Sequence, residues 1–202
     1  MDPFKQFNGI VAPVDQANIN TDQIVPKQYL KLVGRIGFGQ YLFHDARFDK
    51  SGNPNPKFVL NDPRYKEAKI LLARSNFGCG SSREHAVWAI SDYGFKTVIA
   101  SSYADIFYNN CFKNGLLPIT LDEKIVDSLF REATTPKPCS LNVNLAEQTI
   151  HKINGEVIEF QIDAYKKKCL LEGLDDIGLT LKYEDKIRDH ERALSRYVLV
   201  NR

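Results

Sequence analysis

The feature that most constrains the fold is a stretch in which a β-type run, a glycine- and serine-rich turn and an apolar-periodic helix follow one another directly. The run covers residues 70–73, the helical period extends from 83 to 93, and a second β-type run follows at 97–100. A second unit repeats this order, with a helical pattern over 103–113, a stop at Asn114-Gly115 and a buried strand at 116–121. Strands connected through helices predict parallel pairing.

The remainder of the chain carries a different pattern. Residues 123–133 are typical of a helix and 141–145 alternate as a half-buried strand does. Asn154-Gly155, between β-type runs at 149–153 and 157–162, predicts a tight hairpin. Residues 163–193 predict two charged helices broken near Gly173 and Gly178. We therefore expect a mixed α/β fold in which parallel and antiparallel strands both occur.

Length and composition bound the domain organisation. The chain has 202 residues, 43% of them hydrophobic and 26% charged, and its one stretch dense in turn formers, residues 51–56, is typical of a surface loop. This is enough chain for one substantial core and short for two. We expect a single domain over 1–202, with a helical C-terminal extension from about 163 to 202.

Charge and cysteine usage exclude several classes of function. The formal charge is only +2, which gives no electrostatic basis for nucleic-acid binding. The N-terminus lacks the apolar run of a secretory signal, and no segment could span a bilayer, so no membrane association is expected. Cys79, Cys111, Cys139 and Cys169 lie far apart without a Cys-x-x-Cys pair. We expect a reducing cytoplasm, no metal on this chain, and any iron-sulfur cluster to come from elsewhere.

The turn from Asn76 to Ala86 is the candidate functional site. Ser81, followed three residues later by Glu84, fits a capping box, which predicts that Ser81 caps the helix. A capping role leaves Ser82 and Arg83 unexplained, since an arginine in the first helical turn opposes the helix dipole. An anionic ligand would reverse that penalty. Backbone N–H groups, two hydroxyls and a guanidinium at a helix start suit a carboxylate or phosphate.

Other chemistries fit this turn less well. A dinucleotide-binding fingerprint needs a third glycine where Arg83 stands, and the cluster Gly34, Gly37 and Gly39 has the reverse spacing. A Gly-x-Ser-x-Gly nucleophile elbow is absent from the sequence. His85 is interpreted as a structural or supporting residue.

The stretch Gly80-Ser81-Ser82-Arg83-Glu84-His85-Ala86 resembles the defining motif of the swivelling domain of the aconitase superfamily. Asn20-Thr21-Asp22 resembles that domain's other marker, and further agreement in order and spacing extends the resemblance from about Asn18 to Thr120. Matching segments within that span are Tyr93-Gly94-Phe95, Ala104-Asp105-Ile106-Phe107, Asn109-Asn110 and 113–118. The free-standing length and the run Asp92-Tyr93-Gly94-Phe95 are similar to bacterial isopropylmalate isomerase (3-isopropylmalate dehydratase) small subunits in particular. The resemblance implies an aconitase-type swivelling domain with three β/β/α layers.

The resemblance also implies a function. A heterodimer with a large subunit that carries a 4Fe-4S cluster would convert 2-isopropylmalate to 3-isopropylmalate in leucine biosynthesis, by removing and re-adding water. The substrate is then a small 2-hydroxy dicarboxylate. By the same resemblance Ser81 is the catalytic base that takes the carbon-bound proton. Such a base requires helix N–H groups and a nearby cation to stabilise its alkoxide.

The remaining site residues are also carried over from the family. Arg83 is expected to clamp a substrate carboxylate, with Ser82 in support. Asp22 and Thr21 map onto the family's site, although an aspartate there also suits a turn. Specificity is expected at Leu30-Lys31-Leu32-Val33, where aconitases place an arginine for citrate. Apolar side chains there suit an isopropyl group, provided that Lys31 points away from the pocket.

Three alternatives remain open at this stage. The same mechanism could act on a smaller substrate, methylmalate or citraconate, because one or two methyl groups change binding by only a few kcal/mol. The chain could instead be a nucleotide-binding module or a non-catalytic regulatory partner with the same fold. Labelled-nucleotide titration tests the former of these two, and activity of a Ser81→Ala variant in the reconstituted complex tests the latter.

Overall fold

The computed structural model describes residues 1–31, 34, 36–137 and 139–200, with side chains up to residue 194. In this part of the chain seven strands form one sheet in the order β4-β3-β2-β1-β5-β6-β7. The strands are β1 Phe7–Val14, β2 Ala68–Ala73, β3 Thr97–Ala100, β4 Leu117–Thr120, β5 Ser140–Asn144, β6 Thr149–Lys152 and β7 Val157–Glu159. Strands β1 to β4 pair in parallel and β1, β5, β6 and β7 pair antiparallel. The predicted α/β class with a mixed sheet is confirmed.

The described residues form eight helices. They are α1 Thr21–Ile24, α2 His44–Arg47, α3 Glu84–Tyr93, α4 Asp105–Lys113, α5 Glu123–Ala133, α6 Ala164–Glu172, α7 Asp176–Leu181 and α8 Glu184–Val200. The described residues between α1 and β2 form mainly short turns of 3-10 helix and loops, besides α2. None of the helices described between residues 1 and 200 combines the length and the apolarity needed to cross a membrane.

The parallel strands are buried on both faces. Residues that alternate along each strand enter two separate cores: Ala12 and Leu71 enter one, Val11 and Ile70 the other. Helix α3 packs into the first core and α5 into the second. Burial on both faces explains why these strands are continuous apolar runs, whereas the hairpin strands alternate.

The helices after residue 163 differ from the prediction. Gly173 ends α6 in a left-handed conformation with φ +69°, as a C-terminal glycine should. Gly178, by contrast, lies inside α7, because Asp175 begins that helix and its side chain accepts the N–H of Gly178 at 2.7 Å. The second break falls at Lys182-Tyr183. The described part of the chain therefore has three helices here where two were predicted.

Candidate active site

The site lies where the carboxyl ends of three adjacent parallel strands meet. The loops after β1, β2 and β3 are joined by backbone hydrogen bonds. Gly78 N donates to Ile19 O at 2.8 Å, Thr21 N to Cys79 O at 2.9 Å, and Ala104 N to Phe77 O at 3.0 Å. In parallel sheets this edge is where binding sites form. The pairing of β1 with β2 therefore brings Asn20-Thr21-Asp22 against the Ser-Ser-Arg turn.

A cleft of about 240 Å³ opens at this junction. Ser81 and Ser82 are exposed, and Arg83 lies half-buried beside them. The lining consists of Thr21, Gly78, Gly80, Ser81, Ser82, Arg83 and the start of α4, namely Ala104, Asp105, Ile106 and Phe107. Two hydroxyls and a guanidinium thus surround one opening, and the helix start beside them is that of α4, whereas the sequence analysis expected the start of the helix that follows the turn.

The predicted capping role of Ser81 is wrong. Helix α3 begins at Glu84, and its N-cap is Arg83, whose backbone is extended (φ −139°, ψ 113°) and which makes no side-chain capping bond. Ser81 therefore precedes the cap by two residues. The carboxylate of Glu84 accepts from Asn114 Nδ2 at 2.9 Å and so serves the α3–α4 contact. Arg83 accordingly stands just outside the first turn, and no capping bond engages the Ser81 hydroxyl.

Arg83 and Asp22 form an ion pair across the two loops. The other carboxylate oxygen of Asp22 lies 3.3 Å from the Nζ of Lys27, so one aspartate bridges two cations. Helix α1 holds Asp22 in place through a capping box, in which Asn20 and Gln23 bond each other's backbone N–H groups at 2.8 and 2.9 Å. In this structure the guanidinium that was predicted to clamp a carboxylate already binds one from its own chain.

Thr21 is buried, with 2% of its surface exposed. Its hydroxyl donates to the carbonyl of Ser81 at 3.0 Å. Thr21 therefore fixes the backbone of the serine turn directly. Its predicted contact with a ligand stays a prediction.

The predicted specificity segment is only partly described. Leu30 is half-buried and packs against the core, and Lys31 is exposed. Neither lines the cleft. Leu32 and Val33 lie outside the described residues. The structure thus brings together Ser81, Ser82, Arg83, Thr21 and Asp22, but does not bring Leu30 and Lys31 to them.

Sequence reasoning missed two contributors to the site. Lys27 was overlooked although it follows Asp22 closely, with Pro26 turning the chain between them. Ile106, at the start of α4, is 51% exposed at the rim of the cleft. An isoleucine in the first turn of a helix, next to Asp105, was part of the family resemblance without being given a role.

Gly78 is the glycine of the turn that lies against α4. Its φ is +76°, and a Cβ placed on it would lie 2.2 Å from Cγ of Phe107. Only glycine has both the conformational freedom and the room to let the turn lie against α4. The position of α4 at the cleft therefore depends on this residue.

The cysteines do not form a metal centre in the described part of the chain, where no three His, Cys, Asp or Glu side chains converge. All four thiols are free; Cys111 and Cys169 are buried. Burial raises the pKa of Cys111 far above its usual range. Burial, aided by Glu132 and opposed by Lys152, raises the pKa of Cys139 to about 11. A raised pKa makes Cys111 and Cys139 poor ligands, and the four thiols do not converge, so the described residues do not fit an iron-sulfur cluster.

The mixed sheet and the Ser-Ser-Arg turn at its parallel edge define a domain of the aconitase type. The family model of the aconitase C-terminal domain matches residues 1–124, and the model of the C-terminal domain of 3-isopropylmalate dehydratase small subunits matches residues 176–196. The chain belongs to the family of 3-isopropylmalate dehydratase small subunits, within the hydro-lyases of the aconitase superfamily.

Relatives support this membership over nearly the whole length. The 3-isopropylmalate dehydratase small subunit of Brevibacillus brevis is 56% identical over 95% of this chain and 98% of its own. That of Aromatoleum aromaticum is 54% identical over 95% and 94%. The crystal structure of 3-isopropylmalate dehydratase from Methanocaldococcus jannaschii has a TM-score of 0.65, covering 93% of this chain and 99% of that one, at 24% identity. At that identity the likeness concerns the fold.

Proposed function

We propose that this chain is the subunit that closes the active site of a 3-isopropylmalate dehydratase. Together with a large subunit it would interconvert 2-isopropylmalate and 3-isopropylmalate by dehydration and rehydration, in leucine biosynthesis. The family membership supports the reaction. The observation that carries the proposal is the placement of Ser81, Ser82 and Arg83 together on one open cleft, next to Thr21 and Asp22.

Ser81 is the proposed base. In dehydration its Oγ takes the proton from the carbon next to the carbinol carbon, and in rehydration it returns a proton to the former carbinol carbon. Such a base must be stabilised as an alkoxide. Arg83, two residues on, supplies positive charge, and the bond from Thr21 to the Ser81 carbonyl holds the backbone of the turn.

Arg83 is the proposed carboxylate clamp. Its guanidinium has planar geometry for two parallel bonds to a carboxylate, and its pairing with Asp22 shows that a carboxylate can reach it. A substrate carboxylate would take over part of this position, while Lys27 remains as a partner for Asp22. Ser82, exposed beside Arg83, would add a hydroxyl donor.

A 4Fe-4S cluster, expected on the large subunit, would supply Lewis-acid chemistry toward the substrate hydroxyl. The open side of the cleft is where we place that subunit. The apolar members of Leu30-Lys31-Leu32-Val33 are the proposed partners of the isopropyl group. The exposure of Lys31 supports this proposal, whereas the packing of Leu30 against the core, away from the cleft, does not. Four free cysteines support a reducing, cytoplasmic location.

The test is anaerobic reconstitution with the large subunit, followed by assays on isopropylmalate, methylmalate and citrate. The wild-type complex should prefer isopropylmalate. Ser81→Ala should lower kcat by at least about 1000-fold without impairing assembly, because the proton acceptor is lost. Ser128→Ala, on α5 and away from the cleft, is the matched control and should retain activity. Normal turnover in Ser81→Ala would refute the assigned base, and preference for methylmalate would identify the smaller substrate.

A further inference from the structure

Asn76 lies at a point where the three site loops are tied together. Its side-chain Nδ2 donates to Oδ1 of Asn18 in the loop after β1, at 2.8 Å. Its backbone N–H donates to Oγ of Ser102 in the loop after β3, also at 2.8 Å. One residue of the loop after β2 thereby contacts both neighbouring loops.

Both asparagines adopt a backbone conformation that most residues avoid. Asn76 has φ +57° and Asn18 φ +56°. A non-glycine residue in this region carries a conformational cost, which asparagine tolerates better than most. Two facing residues that bond each other both carry this conformational cost, and both lie next to the candidate site. Backbone strain of this kind persists where the surrounding contacts over-determine it.

The contact between Asn18 and Asn76 begins a series of bonds that ends at the proposed base. Beyond it, Gly78 N donates to Ile19 O and Thr21 N donates to Cys79 O. The hydroxyl of Thr21 then donates to the carbonyl of Ser81. A change at the asparagine pair would shift the two loops along this series and alter the distance between Asp22 and the serine turn.

We propose that Asn76 is a positioning residue that sets the register between the loop of Asp22 and the loop of Ser81 and Arg83. This inference rests on the proposed function, since it assigns Asn76 to the geometry of that site. Asn76 touches no reacting group in this role. Its effect on turnover arises from placing Ser81, because displacements of about 1 Å can cost two orders of magnitude in rate.

Two variants separate the side chain from the backbone strain. Asn76→Ala removes the bond to Asn18 and keeps the strained φ, whereas Asn76→Gly removes the bond and relieves the strain. In the reconstituted complex both should lower kcat by about 10- to 100-fold. Asn18→Ala should do the same, and the double variant Asn18→Ala/Asn76→Ala should be no slower than the single variants, because one contact is lost in each.

Gln148→Ala is the matched control. Gln148 has φ +56° and its side chain bonds Phe160 O at 3.0 Å and the Nζ of Lys167 at 2.9 Å, in the turn between β5 and β6. The Gln148→Ala variant should lower the midpoint of thermal unfolding, as Asn76→Ala does, but should leave kcat unchanged. A purely structural role for Asn76 predicts that the two variants behave alike.

Amide hydrogen exchange in the complex gives a readout that needs no turnover. The N–H groups of Gly78 and Thr21 should exchange faster in Asn76→Gly than in wild type, and at the wild-type rate in Gln148→Ala. The positioning role is overturned if Asn76→Gly retains wild-type kcat, or if these amides exchange at the wild-type rate. In either case an active wild-type complex still supports the proposed function. An inactive wild-type complex overturns the proposed function itself, and with it the proposed role of Asn76 in placing Ser81.

Discussion

Arg83 is the proposed carboxylate clamp, and its surroundings suit that role. It is only 16% exposed, whereas its partner Asp22 is 38% exposed. The guanidinium is thus mostly buried, whereas the carboxylate that it binds is more open to solvent. The ammonium group of Lys27, 3.3 Å from Asp22, balances part of the negative charge of that carboxylate. A lysine at position 83 would lack the planar, two-bond geometry that carboxylates match.

Arg83→Lys should therefore lower kcat/KM for isopropylmalate by about 10- to 100-fold, the range expected for losing one charge-assisted hydrogen bond. Steady-state kinetics of the reconstituted complex measure the change. Arg64→Lys is the control, because Arg64 also bonds a carboxylate, that of Asp62, but lies outside the cleft. An Arg83→Lys complex with wild-type kcat/KM would remove Arg83 from the site.

At the level of elements, the site depends on how closely the serine turn approaches α4. Gly78 and Phe107 make that approach, and the first turn of α4 then places Asp105 and Ile106 at the cleft. The turn itself is held open by tertiary bonds to α1. These contacts between elements, more than local propensity, determine where the hydroxyls lie.

Gly78→Ala should lower the free energy of unfolding by about 2–4 kcal/mol, through the strained φ and the clash with Phe107. Urea unfolding measures this. Gly52→Ala is the matched control, because Gly52 also has positive φ (+82°) but has nothing within 4 Å of an added Cβ. Equal losses in the two variants would show that the approach of α4 contributes nothing.

The sequence predicted those elements whose patterns are local. The strands at β2 and β3 are continuous apolar runs, and Asn154-Gly155 forms the hairpin turn between β6 and β7, with Gly155 at φ +87°. The segment between α1 and β2 has no comparable period, so its short helical turns were not predicted. Ser81 is not the cap because α3 begins only at Glu84, and the Ser81 carbonyl accepts a bond from Thr21, some sixty residues earlier. A capping rule that considers only neighbouring residues cannot include a contact between residues so far apart in the chain.

The pairing of Asp22 with Arg83 could not be derived from residue patterns alone, because it requires knowing that β1 and β2 are neighbours in the sheet. The family resemblance supplied both residues. Lys27 was missed for the same reason, since its significance appears only once Asp22 has a position. The sequence thus located the turn, and the tertiary structure determined which residues contact it.

At the scale of the whole molecule, the site belongs to the parallel half of the sheet. All residues lining the cleft fall within the matched span 1–124, and the antiparallel strands lie on the other side of β1. The cleft is open, and the described residues provide no cluster ligands. In the proposed function, the large subunit completes this open cleft.

The isolated chain should accordingly be colourless, iron-free and inactive, and addition of the large subunit should restore turnover. Absorbance near 400 nm, iron analysis and an activity assay check this on the purified small subunit and on the complex. The large subunit alone is the control. Brown, iron-containing protein from this chain alone would contradict the conclusion drawn from its cysteines.

The central position of β1 also has a consequence for folding, because both of its partner strands lie far along the chain. This strand is synthesised first, yet its two neighbours are β2, where Val11 faces Ile70, and β5, where Phe7 faces Val143. Strands so distant along the chain pair slowly, because the entropy of closing the long loop is lost before the stabilising contacts form. On the ribosome, the parallel half that carries the cleft is complete in sequence well before residue 143 emerges. Until then one edge of β1 has no partner strand, and an unpaired strand edge can pair with another chain.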